Sequence, residues 1–429
     1  MANEHPHKKH LTHVGTRIIW GGDNPFGLTE KDRAQHVYCL GKSGTGKTTL
    51  LRNLLIQDIE AGRGVALIDV HGDLAQELLD FIPPHRADHV VYFNPADTEQ
   101  PIGLNPFFGV EPEQRHVVAS NIVGAFKGIW RDSWGVRMEY VLYAAIASLL
   151  ECQGTTLLGV LRLFTDAAYR RSIVKQLDDP MLRGFWKDEF ERWDPRLRNE
   201  IIAPIQNKVG ALLMTPTMRN ILGQVKRKVS FRFMMDESRI FIANLNKGAL
   251  GEDKANLLGS LIIAEMQYAA LGRADVDIGD RVPFSLCVDE FQNFQTDSFA
   301  TILSEARKYG LSLVLSHQFS SQLEEEIADA VFGNVGSIIA FRVGYQDARR
   351  LSNEFDNAYP PEVFSSLPNY KVCVRLMSDG EVSAPFLGGT LPPLGHRFGK
   401  SRNLIKHSRQ KFGASRKSVE GKHRKWMKS

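Results

Sequence analysis

His36-Val-Tyr-Cys-Leu40-Gly41-Lys42-Ser43-Gly44-Thr45-Gly46-Lys47-Thr48-Thr49-Leu50-Leu51 fits the phosphate-loop pattern G-x-x-x-x-G-K-[ST] through Gly41, Gly46, Lys47 and Thr48. The flanks suit it. Val37 to Leu40 is a short apolar run that reads as a buried strand, and Leu51, Leu54, Leu55 and Ile59 recur at helical spacing. Glycines let backbone N–H groups turn towards phosphate oxygens at a helix N-terminus, whose dipole also favours anions. The whole loop, Gly41 to Thr49, is the expected nucleotide cradle: Lys47 reaches the β- and γ-phosphates and the Thr48 hydroxyl holds Mg²⁺. A plain glycine-rich turn is the competing reading. At average composition the four pattern positions arise by chance at on the order of a per cent or two, and the strand–loop–helix context lowers that.

Working outward, Gly64 to Asp69 ends a second continuous apolar strand, of the kind buried on both faces of a parallel sheet. Asp69 and His71 fall at its carboxyl end, where open α/β sheets bind ligands, and Asp73 is placed as N-cap of a helix over Leu74–Phe81. Either Asp69 and His71 touch nucleotide or DNA, or they stabilise their own loop. His89–Phe93 makes a third strand, and Ile240–Ala243 resumes the pattern before a long helix over Lys254–Leu271. Pro283-Phe-Ser-Leu-Cys-Val288-Asp289-Glu290 is then a hydrophobic strand ending in two acids. Asp289 at such a tip suits the Mg²⁺ shell beside Thr48, and Glu290 can accept a proton from an attacking water. The expectation is that the two tips meet across adjacent strands. Leu311–Leu315 forms a further strand before Gln318, a neutral amide suited to contact the γ-phosphate or that water. Arg307 precedes this strand, and Arg342 ends the next, Ser337–Phe341.

Composition sets the class. The chain has 429 residues, 43% hydrophobic and 24% charged, as in a soluble globular protein. No apolar run approaches the length of a membrane span, and the first residues lack a signal core. Cys39, Cys152, Cys287 and Cys373 are scattered through apolar runs and read as reduced core thiols. A cytoplasmic location follows. The net charge of +4 hides an asymmetry: eleven Lys and Arg against Glu420 alone between Lys400 and Ser429. That tail is expected to be disordered or to fold on binding, serving contact with DNA phosphates or an acidic partner, or solubility alone.

Five segments are expected. Residues 1–35 are a mostly irregular lead with one strand at Arg17–Trp20; its His5, His7, His10 and His13 read as a flexible run rather than a metal site. Lys8, Lys9 and Arg17 are candidate phosphate contacts. Residues 36–105 and 236–395 are two parts of one nucleotide-binding domain. Residues 106–235, with Met138, Val141, Leu142, Ala145 and Leu149 on one face, are an all-helical insertion whose Trp130, Arg131, Trp134 and Arg137 could meet DNA. Residues 396–429 are the basic tail.

Taken together, Gly41–Thr49, Asp69–Asp73, Val288-Asp-Glu-Phe-Gln-Asn293, Ala306-Arg-Lys-Tyr-Gly310 and Ser316-His-Gln318 resemble the HerA/FtsK superfamily of P-loop motors, over roughly residues 14–395. Within it they resemble the type IV secretion coupling proteins. The resemblance implies an α/β, RecA-like P-loop NTPase with a mostly parallel central sheet. It implies a homohexameric ring that hydrolyses ATP with Mg²⁺ and moves single- or double-stranded DNA, with relaxosome or type IV secretion components as further partners. It implies that Arg307 reaches the neighbouring subunit's γ-phosphate, with Arg342 as the reserve candidate. Coupling proteins usually begin with membrane-spanning helices, which this sequence lacks, so either docking at the inner membrane runs through a partner or the chain belongs to a soluble branch. Two other readings stay open: a nucleotide-gated adaptor with little turnover, and a HerA-like motor paired with a nuclease in repair or phage defence.

Overall fold

The protein is described by a computed structural model covering residues 11–19, 22–378 and 380–428. His5, His7, His10, Lys8, Lys9 and Trp20 lie outside the described residues. The described strands are β1 (Thr12–Ile19), β2 (Gly22–Leu28), β3 (Val37–Leu40), β4 (Gly64–Asp69), β5 (Val90–Phe93), β6 (Ile240–Asn244), β7 (Phe284–Val288), β8 (Leu311–His317), β9 (Ser337–Ala340), β10 (Lys371–Arg375), β11 (Met377–Ser378), β12 (Glu381–Val382) and β13 (Phe386–Thr390). Eleven of them form one sheet in the order β2-β1-β13-β10-β9-β3-β8-β7-β4-β6-β5; β11 and β12 pair separately.

From β9 to β5 every pairing is parallel, and from β2 to β10 antiparallel. The parallel strands are buried along their length, as their uninterrupted apolar runs require. Alternate residues serve opposite faces. Tyr38 and Leu40 join the core beneath the helical stretch, whereas Val37 and Cys39 join the core beneath helix Lys47–Glu60. All four cysteines are free and buried.

Three expectations change. The lead is not mostly irregular: β1 and β2 form a hairpin that extends the sheet through β13. The Asn24-Pro25 and Gly27 signals in β2 hid it, yet this is an edge strand, where proline is tolerated. The tips of β3 and β7 are not on adjacent strands, because β8 lies between them. Helix Asp73–Leu78 begins at Gly72, so Asp73 is its first residue rather than its cap.

Between β5 and β6 the described residues contain no strand, and helices such as Arg115–Ile129, Val136–Glu151 and Pro195–Ile205 carry the chain. The tail is the fourth correction. It folds as helices Ser401–Phe412 and Arg416–Lys428. Charge counting outweighed a pattern that was present: Leu404 and Ser408, and Val419 and His423, recur at i,i+4 and are buried. The first helix covers the sheet edge, where Ser408 Oγ accepts a hydrogen bond from Tyr92 N at 2.9 Å. The second lies on the helical stretch, where His423 Nε2 meets the Gly223 carbonyl at 3.1 Å and the Arg162 guanidinium sits 5.1 Å from the Trp426 ring. Arg409 pairs with Asp97, and Arg416 with Glu99 and Glu420. No helix among the described residues is long and apolar enough to cross a membrane.

Candidate nucleotide site

β3 and β8 end level, with Leu40 opposite His317, and β7 ends two residues short, with Val288 opposite Leu315 and Asp289 and Glu290 following it. The residues that follow these tips converge on a cavity of about 230 Å³ lined by Ser43, Gly44, Gly46, Lys47, Thr48, Thr49, His71, Asp289, Glu290, Gln318 and Tyr370. Gly41, Lys42 and Thr45 support the loop from behind. Gly41 N donates to the His317 carbonyl, Lys42 N to the Arg342 carbonyl at 2.8 Å, and Thr45 Oγ1 to the Lys42 carbonyl at 2.7 Å.

Gly46 adopts φ +120°, and a side chain there would run into the Tyr370 ring at 2.8 Å. It starts helix Lys47–Glu60 with no side-chain cap, so the first-turn amides are left to face the cavity. The Lys47 ammonium donates to the Gly41 and Lys42 carbonyls. This is an uncapped, positive, glycine-built concavity, which is the chemistry a polyphosphate needs.

The acidic wall is strained and buried. Glu290 is 6% exposed and sits in the left-handed region at φ +51°, rare for a residue with a side chain. Its Oε1 accepts from Gln318 Nε2 at 2.9 Å and its Oε2 from Gln292 Nε2 at 2.7 Å. Burial, with the negative charges of Glu290 and Asp69 close by, pushes the Asp289 carboxyl up to about 6. Thr48 and Asp289 offer hard oxygen ligands on one cavity, a set that fits Mg²⁺, which takes one or two protein oxygens and completes its shell with phosphate and water. Among the described residues no group of three or more His, Cys, Asp or Glu side chains could hold a metal by itself.

The raised Asp289 value has a signed consequence for the nucleotide-free protein. A folded carboxyl titrating near 6 against an unfolded value of 3.8 favours folding at low pH and loses that advantage as pH rises through 6. Asp289→Asn removes the buried charge. At pH 8 it is expected to be more stable than the parent by about 3 kcal/mol, from the shift between the two values. The gap should close as pH falls from about 6 towards 4, which urea denaturation at pH 8, 6 and 4.5 will test. Equal stabilities at every pH would contradict it.

Other expected site residues fall elsewhere. Asp69 is spent on its loop, accepting from His71 N at 2.9 Å and Ala75 N at 2.8 Å, whereas His71 does reach the cavity. Arg342 does not line the cavity; it bonds the Leu367 carbonyl and Asn369 Oδ1, bracing the turn before Tyr370. Arg307 is exposed at the amino end of β8, so the strand's length, roughly 20 Å, separates it from Gln318. In the helical stretch Arg131 is engaged by Glu324 and the Gln295 carbonyl, Trp134 Nε1 donates to Glu139, and Trp130 stacks on Phe126. That patch is therefore built into the fold, and of the four residues only Arg137 is exposed. His317 is buried against Tyr38, and burial lowers it to about 3, so it stays neutral. Sequence reading missed two site residues. Tyr370, at φ +64°, closes on Gly46 from more than three hundred residues away. Gln292 lies inside the Val288–Asn293 stretch, where nothing in the residue pattern marks it as the donor to Glu290.

A parallel sheet with a phosphate loop at its centre and two acids level with that loop defines a P-loop NTPase. Residues 25–355 match the family described as the type IV secretion-system coupling protein DNA-binding domain, and the chain belongs to that family. Similar solved structures include plasmid coupling protein TrwB in complex with ADP and Mg²⁺ (15% identity, 90% of this chain and 96% of that one, TM-score 0.64). The unbound bacterial conjugative coupling protein TrwBdeltaN70 is similar at 14% identity over 90% of each chain, TM-score 0.61. VirB4 of Thermoanaerobacter pseudethanolicus is similar at 13% identity over 89% of this chain and 96% of that one, TM-score 0.56. These likenesses are of fold. A search of curated proteins by sequence finds no match.

Proposed function

We propose that this protein is an ATP-driven DNA translocase of the coupling-protein type, acting as a homohexameric ring. The observation that carries the reading is the convergence of Lys47, Thr48, Asp289, Glu290 and Gln318 on one cavity at the carboxyl ends of three parallel strands. Family membership and the likeness to nucleotide-bound TrwB support it. In this reading the loop amides and Lys47 bind and orient the β- and γ-phosphates. Thr48 and Asp289 hold the nucleotide's Mg²⁺, which neutralises charge on the phosphate oxygens. Glu290 orients the attacking water and takes its proton, and Gln318 stands where it can trade its bond to Glu290 for one to the γ-phosphate. Tyr370 packs against the loop at the cavity mouth and excludes water from one side. Arg307 cannot reach its own cavity and acts on a neighbour's.

Glu290 favours turnover over a nucleotide-gated adaptor, because a switch without hydrolysis needs no buried, backbone-strained base. The place of action is proposed as the cytoplasm, at the inner membrane only through a partner such as a relaxosome or secretion component. Steady-state ATPase assays with and without DNA, combined with particle imaging in ATP and DNA, test the proposal. DNA-stimulated turnover and threaded rings are expected. Turnover indifferent to DNA, with no rings, would refute it, and co-purification with a nuclease would move the protein to the repair or defence setting.

A further inference from the structure

The Glu290 carboxylate is not left to find its own orientation. The terminal torsion of a glutamate is broad and roughly two-fold, so only external donors can fix it. Two do so here, one on each oxygen: Gln318 from the tip of β8 and Gln292 from the turn after β7. Each oxygen keeps a lone pair free for water. The Gln318 bond links two strand tips of the sheet. The Gln292 bond leads away from it.

Gln292 sits in the short turn Phe291–Phe294, and its carbonyl accepts from Gln295 Nε2 at 3.0 Å. That same amide nitrogen also donates to the Gln322 carbonyl at 2.8 Å, and Gln295 Oε1 accepts from Glu324 N at 2.9 Å. Gln295 is thus clamped to the start of helix Glu325–Asn334. Its main-chain carbonyl accepts from Arg131 at 2.6 Å, and Arg131 also pairs with Glu324. Arg131 belongs to the helical stretch between β5 and β6, just past helix Arg115–Ile129. That helix approaches closely at Gly128, where a side chain would meet the Gln295 carbonyl at 2.9 Å. A continuous set of short polar contacts therefore joins the helical stretch to the carboxylate beside the phosphate loop.

We infer that Gln292 is a positioning residue for hydrolysis, holding the Glu290 carboxylate, and that Arg131 and Gln295 fix its place from the helical stretch. A shift of the helices is transmitted to the angle at which Glu290 meets its water. The inference rests on Glu290 being the base of the proposed ATPase, but its structural half is tested without turnover.

The full-length chain is used throughout. Gln292→Ala is expected to lower kcat by roughly ten- to a hundredfold, the range for losing a hydrogen bond to a charged group, with KM and the affinity for a fluorescent ATP analogue within about twofold. Arg131→Ala should lower kcat several-fold, Arg131→Lys should restore most of it, and Arg131→Ala should add nothing in the Gln292→Ala background. A Gln292→Ala kcat within about twofold of the parent overturns the positioning role, and independent effects of the two substitutions overturn the link. Hydrogen exchange gives the second readout. Arg131→Ala should raise exchange over residues 290–296 and leave β3, β7 and β8 unchanged, whereas unaltered exchange there overturns the link whether or not the chain hydrolyses ATP. A parent chain that binds nucleotide without turnover, yet shows the exchange change, would refute the ATPase reading and leave the link standing.

Discussion

Glu290→Gln is expected to bind ATP as tightly as the parent chain and to hydrolyse it about 10²–10⁴-fold more slowly, the usual contribution of a positioned general base. The substitution keeps shape and removes only charge and basicity. Its surroundings can accept the change. Gln292 Oε1 is buried without a hydrogen-bond partner, so turning that amide over presents an acceptor to the introduced NH₂ group while Gln318 continues to donate to the remaining oxygen. The chain should therefore fold and melt like the parent. Rapid-quench turnover alongside equilibrium binding of a fluorescent analogue separates the two quantities. Turnover within tenfold of the parent would remove Glu290 from the role of base.

Arg307→Ala should lose about 10³–10⁵-fold in turnover if its guanidinium stabilises charge on a neighbour's γ-phosphate. Arg307 is exposed, so its removal should change stability by no more than ~0.5 kcal/mol. Mixing is the decisive form. Lys47→Ala destroys a chain's own cavity but leaves its Arg307; Arg307→Ala does the reverse. In a randomly mixed ring on the order of a quarter of the head-to-tail interfaces pair an intact cavity with an intact arginine. Recovery of that order, from two inactive parents, is the expected result. No recovery, with rings formed, would place Arg307 outside the reaction.

How far the sequence could be read depended on whether the signal was local. The phosphate loop, the acidic tip of β7 and the amide after β8 each carry their own strand, so residues 41–49, 289, 290 and 318 were legible as chemistry before any contact was known. Their meeting was legible too, although β8 between them was not, since strand order depends on crossovers rather than on residues. Tyr370 was illegible for the opposite reason. Nothing beside it marks it, and its left-handed backbone comes from pairings with Thr45 and Thr390 that only the folded sheet creates. The antiparallel flank of β1, β2, β10 and β13 was largely missed because its edge strands hold glycine and proline and lack long apolar runs. Arg131 was read as surface because a charge flanked by tryptophans looks like a nucleic-acid contact; only the fold shows its partners.

The helical tail changes what its positive charge can do in an electrolyte. A loose polycation displaces condensed counterions from the DNA for every phosphate it neutralises, and any of its side chains can swing to any phosphate. Here Arg409, Lys411 and Arg416 already bond to Asp97, the Asp88 carbonyl and Glu99 or Glu420, and the remaining lysines and arginines are pinned at helical intervals on a rigid strap. A log–log titration of duplex affinity against KCl should then report a slope set by how few of them lie along one groove at once, well short of the tail's formal charge.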